Sequence, residues 1–391
     1  MTFPLSGVKV LDLGDEPVAF ASRLLAGLCA DVVRVEHPGG DWLRSRGPFV
    51  NGEPGLERGL AHILYNAGKR SVALDCESPA GQSQVRQLIE QAAVVIAPLD
   101  VPAGLRDILE AGAFAAAYPN VGLVQPVFRR NSADTATDLT AVAAGGQMYL
   151  NGDPADPPNY AAGNLAYKQV SLAASLAAVT MVMEAAAGRP PGRVEVCMQE
   201  AVMWTTIQTA NENYAYWGQR SPGRHGLGSV SGQTIFLTAD NKYVSLYHHP
   251  PAFLPFARWY AELFGDDQYT RAPWDDDLNR MKHGAEIVEI TQRTCGSMDR
   301  LTLIAEAQKR SMLCVPVQDV SDIAADQHLR ERDFFQRVRI EQLDQELEVF
   351  RLPFTTSAYE AAAAPPPALG AHTEEVFREW CGAASPVEAR R

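Results

Sequence analysis

Short runs of apolar, β-branched residues alternate with amphipathic segments through the first half of the chain. The apolar runs stand at residues 8–13, 31–36, 71–75, 92–99 and 121–128, and helical patterns at 18–29, 78–91 and roughly 103–117 lie between them. Nearly continuous apolar strands that alternate with helical crossovers are typical of a parallel sheet covered on both faces. The alternation therefore predicts a doubly wound α/β domain, to which residues 194–204 add one more strand and helix.

The second half of the chain has a different composition. After a long Ala-rich helix predicted at about 168–187, residues 221–232 are rich in Gly and Ser, and residues 233–249 read as a hairpin around Asp240-Asn241. Helical, acidic sequence follows to about 310, and a second change occurs near 325–332. These shifts predict domain boundaries at about 222 and 326.

Composition excludes several classes of function. A net charge of −13, spread without long acidic runs, argues against unaided binding to nucleic acid or to an anionic membrane. The N-terminus has no secretory leader and the six cysteines show no CxxC spacing, so we expect a cytoplasmic protein with reduced thiols and no metal site. The first strand is followed by one glycine where a dinucleotide fingerprint needs three, so neither nicotinamide nor flavin is expected.

Two histidines and four aromatic residues each allow a functional and a structural interpretation. The adjacent His248 and His249 have no spaced partner ligand, which favours a structural or solvent-facing role. Four aromatic residues of the second half are candidates for a bulky-acid pocket, although aromatic residues at that density are more often core: Tyr247, Phe253, Trp259 and Trp274.

Six segments, in this order, carry a family resemblance. They are PLSGVKVLDLG at 4–14, ADVVRVEHPGGDWLRSRGPFVNGE at 30–53, LYNAGKRSVALDCESPAGQ at 64–82, AGRPPGRVEVCMQEAVM at 187–203, CVPVQDVSDIAADQHLRERDFF at 314–335, and PPPALGAHTEEVFRE at 365–379. Together they resemble the family III CoA-transferases, which include carnitine-pathway CoA-transferases, formyl-CoA transferases and α-methylacyl-CoA racemases. The resemblance covers nearly the whole chain.

The resemblance implies an architecture and a substrate. It implies a Rossmann-like large domain formed by residues 1–221 and 326–391, a small α+β domain at 222–325, and two subunits that interlock as a dimer. It also implies that the protein acts on coenzyme A, as an acyl-CoA, together with a carboxylic acid. Four residues match positions near CoA in the family and are the expected CoA contacts: His37, Lys69, Arg70 and Arg106. A Lys-Arg pair before a strand suits phosphate oxygens, and its alternative is a solvated basic turn.

The chain departs from the family at the position of the nucleophile. Family transferases use an aspartate just before the Ala-rich helix to form an acyl anhydride and then a CoA thioester on the enzyme. The matching position here is Tyr167, or Ala166 or Lys168 in a shifted register, and none of these is a carboxylic acid. Two further departures are PVAFAS at 17–22, where members read Ala-Gly-Pro, and the lack of the racemases' histidine within 129–147.

Two polar residues near this position have competing interpretations. Asp138 matches a common acidic position of the family near the active site, but an aspartate that begins a helix is ordinarily an N-cap, and capping is favoured. Lys168 either holds a carboxylate or a CoA phosphate, with Tyr167 as a hydrogen-bond donor, or faces solvent in a site whose chemistry has lapsed. The second interpretation of Lys168 is favoured.

Three functional hypotheses remain open from the sequence. The first is a non-catalytic subunit of a heteromeric CoA-transferase, paired with a paralogue that keeps the aspartate. The second is an acyl-CoA lyase, isomerase or hydratase that uses Tyr167, Lys168 and Asp138 as acid and base without a covalent intermediate. The third is an active homodimeric CoA-transferase whose carboxylate comes from elsewhere in the pocket.

Overall fold

The structure is a computed structural model that describes residues 3–130, 132, 134–152, 156–205, 234–247, 250–357, 359 and 363–382. The described chain forms two compact units. The first takes its residues from 3–148, 160–205 and 329–382, and the second from 149–159 and 234–328. The predicted boundary at 222, and the His248-His249 pair, lie outside the described residues. The chain enters the first unit for the last time at Leu329, close to the predicted start of the return segment.

A six-stranded sheet organises the first unit, with the order β3-β2-β1-β4-β5-β6 and every neighbouring pair parallel. Its strands are β1 (Lys9–Asp12), β2 (Asp31–Glu36), β3 (Arg70–Ala73), β4 (Val94–Ile96), β5 (Gly122–Val127) and β6 (Arg193–Cys197). The sheet confirms the predicted α/β class. The order reverses between β1 and β4, which is where ligands bind in open parallel sheets.

Helices cover both faces of this sheet. They are α1 (Glu16–Gly27), α2 (Trp42–Ser45), α3 (Leu60–Asn66), α4 (Pro79–Gln91), α5 (Arg106–Leu109), α6 (Ala111–Ala117), α7 (Asp138–Ala144) and α9 (Leu165–Ala186). The short helix α8 (Gln147–Leu150) begins in the first unit and ends in the second. Successive residues of β1 enter different cores, because strand side chains alternate. Val10 packs in the cluster that contains the α1, α7 and α9 side chains, whereas Leu11 packs in the cluster of the α4 side chains.

Helix α9 packs along α1 through small residues. Its buried side chains recur at helical spacing: Ala166, Val170, Ala174, Ala178 and Met181. By length and composition α9 could cross a membrane, and it is the one such helix in the described part of the chain. A core helix of a globular domain passes the same test. Here the buried side chains of α9 belong to the core cluster beneath the sheet.

The second unit is built on an antiparallel sheet of order β7-β8-β9, where β7 is Ile235–Leu237, β8 Tyr243–Tyr247 and β9 Leu313–Val317. The predicted hairpin is present, and Asn241 in its turn takes a φ of 56°. The accompanying helices are α10 (Pro250–Phe264), α11 (Asp277–Lys282), α12 (Gly284–Cys295), α13 (Arg300–Lys309) and α14 (Val320–Ala325), and α15 (Gln327–Glu331) begins in this unit and ends in the first. Phe253, Trp259 and Trp274 are buried in the core of this unit, as the structural interpretation predicts.

The return segment completes the first unit. Strands β10 (Phe335–Ile340) and β11 (Gln345–Phe350) form an antiparallel pair, and helix α16 (Thr373–Cys381) follows. Val376, Phe377 and Trp380 of α16 pack in the same cluster as the α4 side chains. The last helix thereby covers one face of the parallel sheet.

Candidate active site

The candidate site lies where three helices begin. Helix α1 starts at Glu16 after the first strand, α7 starts at Asp138, and α9 starts at Leu165 with Asn164 as its N-cap residue. Each helix N-terminus carries a partial positive charge and unpaired N–H groups. The structure places the side chains of Glu16 and Asn164 in contact with each other, and the side chain of Asp138 in contact with the first turn of α9.

Asp138 caps the start of α9. Its Oδ1 accepts a hydrogen bond from the backbone N–H of Tyr167 at 2.9 Å, and its Oδ2 accepts one from the Tyr160 hydroxyl at 2.5 Å. The residue is 5% exposed. Its own helix is capped by Thr137, which forms a capping box with Thr140. Asp138 therefore caps a helix, as the favoured interpretation holds, but the helix is α9 and not the one it begins.

The need for this distant cap follows from the residue before α9. Asn164 has a φ of 52°, in the left-handed region, and its side chain makes no capping hydrogen bond to α9. The Asn164 amide instead donates to Glu16 Oε1 at 2.9 Å. The first turn of α9 therefore obtains an acceptor from another element.

Glu16 is a carboxyl group that the sequence analysis missed. Its side chain is 9% exposed, and Arg46 Nη1 lies 3.1 Å and 3.2 Å from its two oxygens. Burial, together with the nearby Asp138 and Asp15 carboxylates, raises the pKa of Glu16 to about 7, against the lowering effect of Arg46 and Asn164. An acidic residue in a first helical turn is common, so nothing at position 16 alone signals this environment.

The two tyrosines of the site are neutral donors. Burial raises the pKa of Tyr167 to about 12, with the Glu16 charge adding to the effect. Burial also raises the pKa of Tyr160 to about 12, together with the hydrogen bond that it donates to Asp138. Neither phenol is a phenolate near neutral pH.

Lys168 is directed toward its own loop. Its ammonium donates a hydrogen bond to the Gly163 carbonyl, which ties the first turn of α9 to the segment before it. Gly163 has a φ of 97°, a conformation that glycine adopts without strain. The contact gives Lys168 a local structural role, and its predicted role in ligand binding stays a prediction.

Lys69 of the predicted CoA contacts lies inside the first unit. Its ammonium donates to Asp12 Oδ2 and Asn66 Oδ1, both at 2.9 Å, and to the Ala19 carbonyl at 3.2 Å. Burial would raise the pKa of Asp12, but the Lys69 and Arg34 charges hold it at about 2. All three ammonium donors point at protein oxygens, so a phosphate would have to displace one of them.

The other predicted CoA contacts are nearer the surface. Arg70 pairs with Asp31, Glu375 and Glu379, at distances of 2.6 to 3.1 Å. His37 and Arg106 are exposed, and His37 Nδ1 accepts from the Gly39 N–H at 3.0 Å. The roles of these four residues toward CoA remain predictions. Within the described residues, no group of three or more His, Cys, Asp or Glu could hold a metal ion.

Comparison with known proteins gives one consistent family. The family model described as CoA-transferase family III matches residues 5–373. Succinyl-CoA:(R)-benzylsuccinate CoA-transferase subunit BbsE of Thauera aromatica is 28% identical over 96% of this chain and 94% of its own. The succinyl-CoA–L-malate CoA-transferase beta subunit of Chloroflexus aurantiacus is 24% identical over 97% and 95%.

A solved structure shares the fold. A CAIB/BAIF family protein from Brucella suis superposes with a TM-score of 0.81, covering 97% of this chain and 100% of that one at 21% identity. The family match over nearly the whole sequence agrees with the six segments that carried the resemblance. The chain belongs to CoA-transferase family III.

Proposed function

We propose that the chain is the non-catalytic subunit of a family III CoA-transferase, paired with a paralogous subunit that carries the nucleophilic aspartate. The observation that carries this proposal is the start of α9, where residues 164–168 read Asn-Leu-Ala-Tyr-Lys and offer no carboxylate. In the family the nucleophile stands at this helix start. The substrates of the assembled transferase would be an acyl-CoA and a carboxylic acid.

The chemistry of the neighbouring side chains supports the proposal. An acyl anhydride forms only on a carboxylate, and the phenol of Tyr167, with a pKa of about 12, cannot replace one. Asp138 is a carboxylate, but both of its oxygens accept hydrogen bonds and the residue is buried. Attack by Asp138 would remove the cap of α9.

The names of two relatives also support an assembly of unlike chains. One relative is named as a subunit and the other as a beta subunit of succinyl-CoA-dependent transferases. We therefore place this chain in a heteromer, with CoA contacted through His37, Lys69, Arg70 and Arg106, and in the cytoplasm. Succinyl-CoA is the acyl donor to test first.

Expression with and without the paralogue tests this function. The chain alone should not move CoA from succinyl-CoA to a carboxylic acid, whereas the purified pair should. Native mass measurement of each sample gives its subunit composition. A stable homodimer of this chain that transfers CoA unaided would overturn the proposal.

Glu16 favours a second candidate function, an acyl-CoA lyase, isomerase or hydratase. A carboxyl group with a pKa of about 7 beside the neutral phenol of Tyr167 suits proton transfer near neutral pH. Glu16 joins the three predicted acid and base candidates, Tyr167, Lys168 and Asp138. Single substitutions at these positions should then abolish turnover of an acyl-CoA, and unchanged turnover in every variant would reject this function.

The third hypothesis, an active homodimer, requires a carboxylate from elsewhere in the chain. Glu16 is such a carboxylate, since it contacts the residue that precedes α9. Incubation of the chain alone with succinyl-CoA, followed by peptide mass analysis, tests this hypothesis directly. A CoA adduct on Glu16 would favour it, and an unmodified peptide supports the non-catalytic subunit.

A further inference from the structure

Glu16 is held in the way that a protein holds a carboxylate ligand. A guanidinium group, a side-chain amide and the start of a helix all contact or adjoin the same carboxyl group. The contacts come from three separate segments of the chain: Arg46 follows α2, Asn164 precedes α9, and Glu16 begins α1.

Arg46 remains accessible from solvent. Its side chain is 50% exposed, and its guanidinium lies 4.5 Å from the centre of the Trp42 ring. The stacking restricts the plane of the guanidinium, while half of the side chain stays exposed to solvent. A carboxylate from solution can therefore reach Arg46 without any movement of the core.

The backbone conformation of Asn164 directs its side chain to Glu16. A left-handed conformation is disfavoured for residues other than glycine, although asparagine tolerates it better than most. The conformation directs the amide to Glu16 in place of the capping contact that an asparagine in this position ordinarily makes. The hydrogen bond from the Asn164 amide to a carboxylate offsets the cost of the left-handed conformation.

We propose that Arg46 and Asn164 form a binding site for a small carboxylate, and that the chain's own Glu16 fills this site and closes it to free carboxylic acids. The inference deepens the proposed function, on which it rests, by naming what keeps the site of the non-catalytic subunit silent. The ligand class is the short aliphatic carboxylate, for which acetate and succinate are the probes.

The charged groups around Glu16 weaken its binding in the site formed by Arg46 and Asn164. Asp15 precedes it on the same turn, Asp138 faces it from α7, and Tyr65 of α3 and Tyr167 of α9 add phenols. The two carboxylates repel an ionised Glu16, and Arg46 is the cation that pairs with it. Free carboxylate should therefore compete better at pH 6, where Glu16 takes up a proton and loosens its hold on Arg46, than at pH 8.

Removal of the Glu16 side chain tests the site directly. In Glu16→Ala, calorimetric titration with succinate should show binding at least about tenfold tighter than in the wild type, and acetate should raise the thermal midpoint. Glu16→Gln should show the same effect more weakly, because its amide still meets Asn164 while leaving Arg46 without an anion. Adding Arg46→Ala to Glu16→Ala should abolish the binding.

A matched control lies at the other end of α9. Glu184 pairs with Arg189 through both of its oxygens on the exposed surface, so Glu184→Ala removes a similar ion pair without opening the proposed site. The inference is overturned if both Glu16 variants, folded by circular dichroism, bind succinate no better than the wild type and Glu184→Ala. That result would leave the proposed function standing, because the proposed function is decided by measurements of CoA transfer and not by succinate binding.

Discussion

At the scale of single residues, Glu16 concentrates the unusual physical chemistry of the candidate site. Its pKa rises from 4.5 to about 7, because burial and two nearby carboxylates outweigh Arg46 and Asn164. The folded state therefore binds the Glu16 proton more tightly than the unfolded state. The resulting stabilisation is fully present below about pH 4.5 and is lost as the pH rises through about 7.

This linkage predicts a measurable loss of stability with pH. Between pH 5 and pH 8 the wild type should lose about 1 to 2 kcal/mol of unfolding free energy that Glu16→Gln does not lose. This loss is smaller than the full pKa difference would give, because solvent screens the charges of Glu16 and its exposed partner Arg46. Urea unfolding at the two pH values measures the difference. Glu184→Gln is the control, since the pKa of Glu184 is lowered and not raised. Parallel pH profiles for wild type and Glu16→Gln would contradict the prediction.

Asp138 carries a second prediction at this scale. Asp138→Ala removes a charged acceptor from the Tyr167 N–H and the Tyr160 hydroxyl, and we expect it to reduce stability by about 2 to 3 kcal/mol. Thr137→Ala removes only the cap of α7 and should lower stability by about 1 kcal/mol. Chemical unfolding of both variants provides the comparison. Equal losses would mean that Asp138 is an ordinary cap of its own helix.

At the scale of elements, the sequence predicts the strands of the parallel sheet because each has a local apolar pattern, whereas β9, β10 and β11 are not among the predicted strands. The five apolar runs match β1 to β5, and the Ala-rich run matches α9. The contact of Glu16 with Asn164 joins residues 148 positions apart, so no local pattern reveals it. The reach of Asp138 to α9 is hidden for the same reason, and the positive φ of Asn164 has no sequence signal that sets it apart from an ordinary N-cap.

The packing of α9 on α1 makes a prediction about element contacts. Ala174 is fully buried in the core cluster that includes Val18, Ala21 and Leu25 of α1, so Ala174→Leu should force the two helices apart and destabilise the fold by about 1 to 3 kcal/mol. Ala185→Leu, on an exposed position of the same helix, should change stability by less than about 0.5 kcal/mol. Thermal unfolding distinguishes them. Unchanged stability of Ala174→Leu would contradict the prediction and show that the interface between α1 and α9 can accommodate a larger side chain.

At the scale of the whole molecule, two properties can be distinguished: the family fold and the identity of the residue at the nucleophile position. The family is fixed by segments spread over residues 5–373, most of which build the sheet and its covering helices. Under the proposed function, the nucleophile position is a single residue at the start of α9, and its replacement would leave that framework intact. The proposal therefore requires only that this chain keep the family fold, and not that it perform acyl transfer itself.

Division of labour between two subunits is therefore the property to test in the assembled protein. In the proposed complex with an aspartate-bearing paralogue, Tyr167→Phe in this chain should leave kcat for CoA transfer from succinyl-CoA within about threefold of the wild type, because the proposal routes no covalent step through Tyr167. Aspartate-to-asparagine substitution in the paralogue should lower kcat by at least about a thousandfold, since an amide cannot form the anhydride. Native mass measurement on each sample shows that the assembly is unchanged. A large loss of kcat from Tyr167→Phe, with the paralogue's variant still active, would assign the chemistry to this chain.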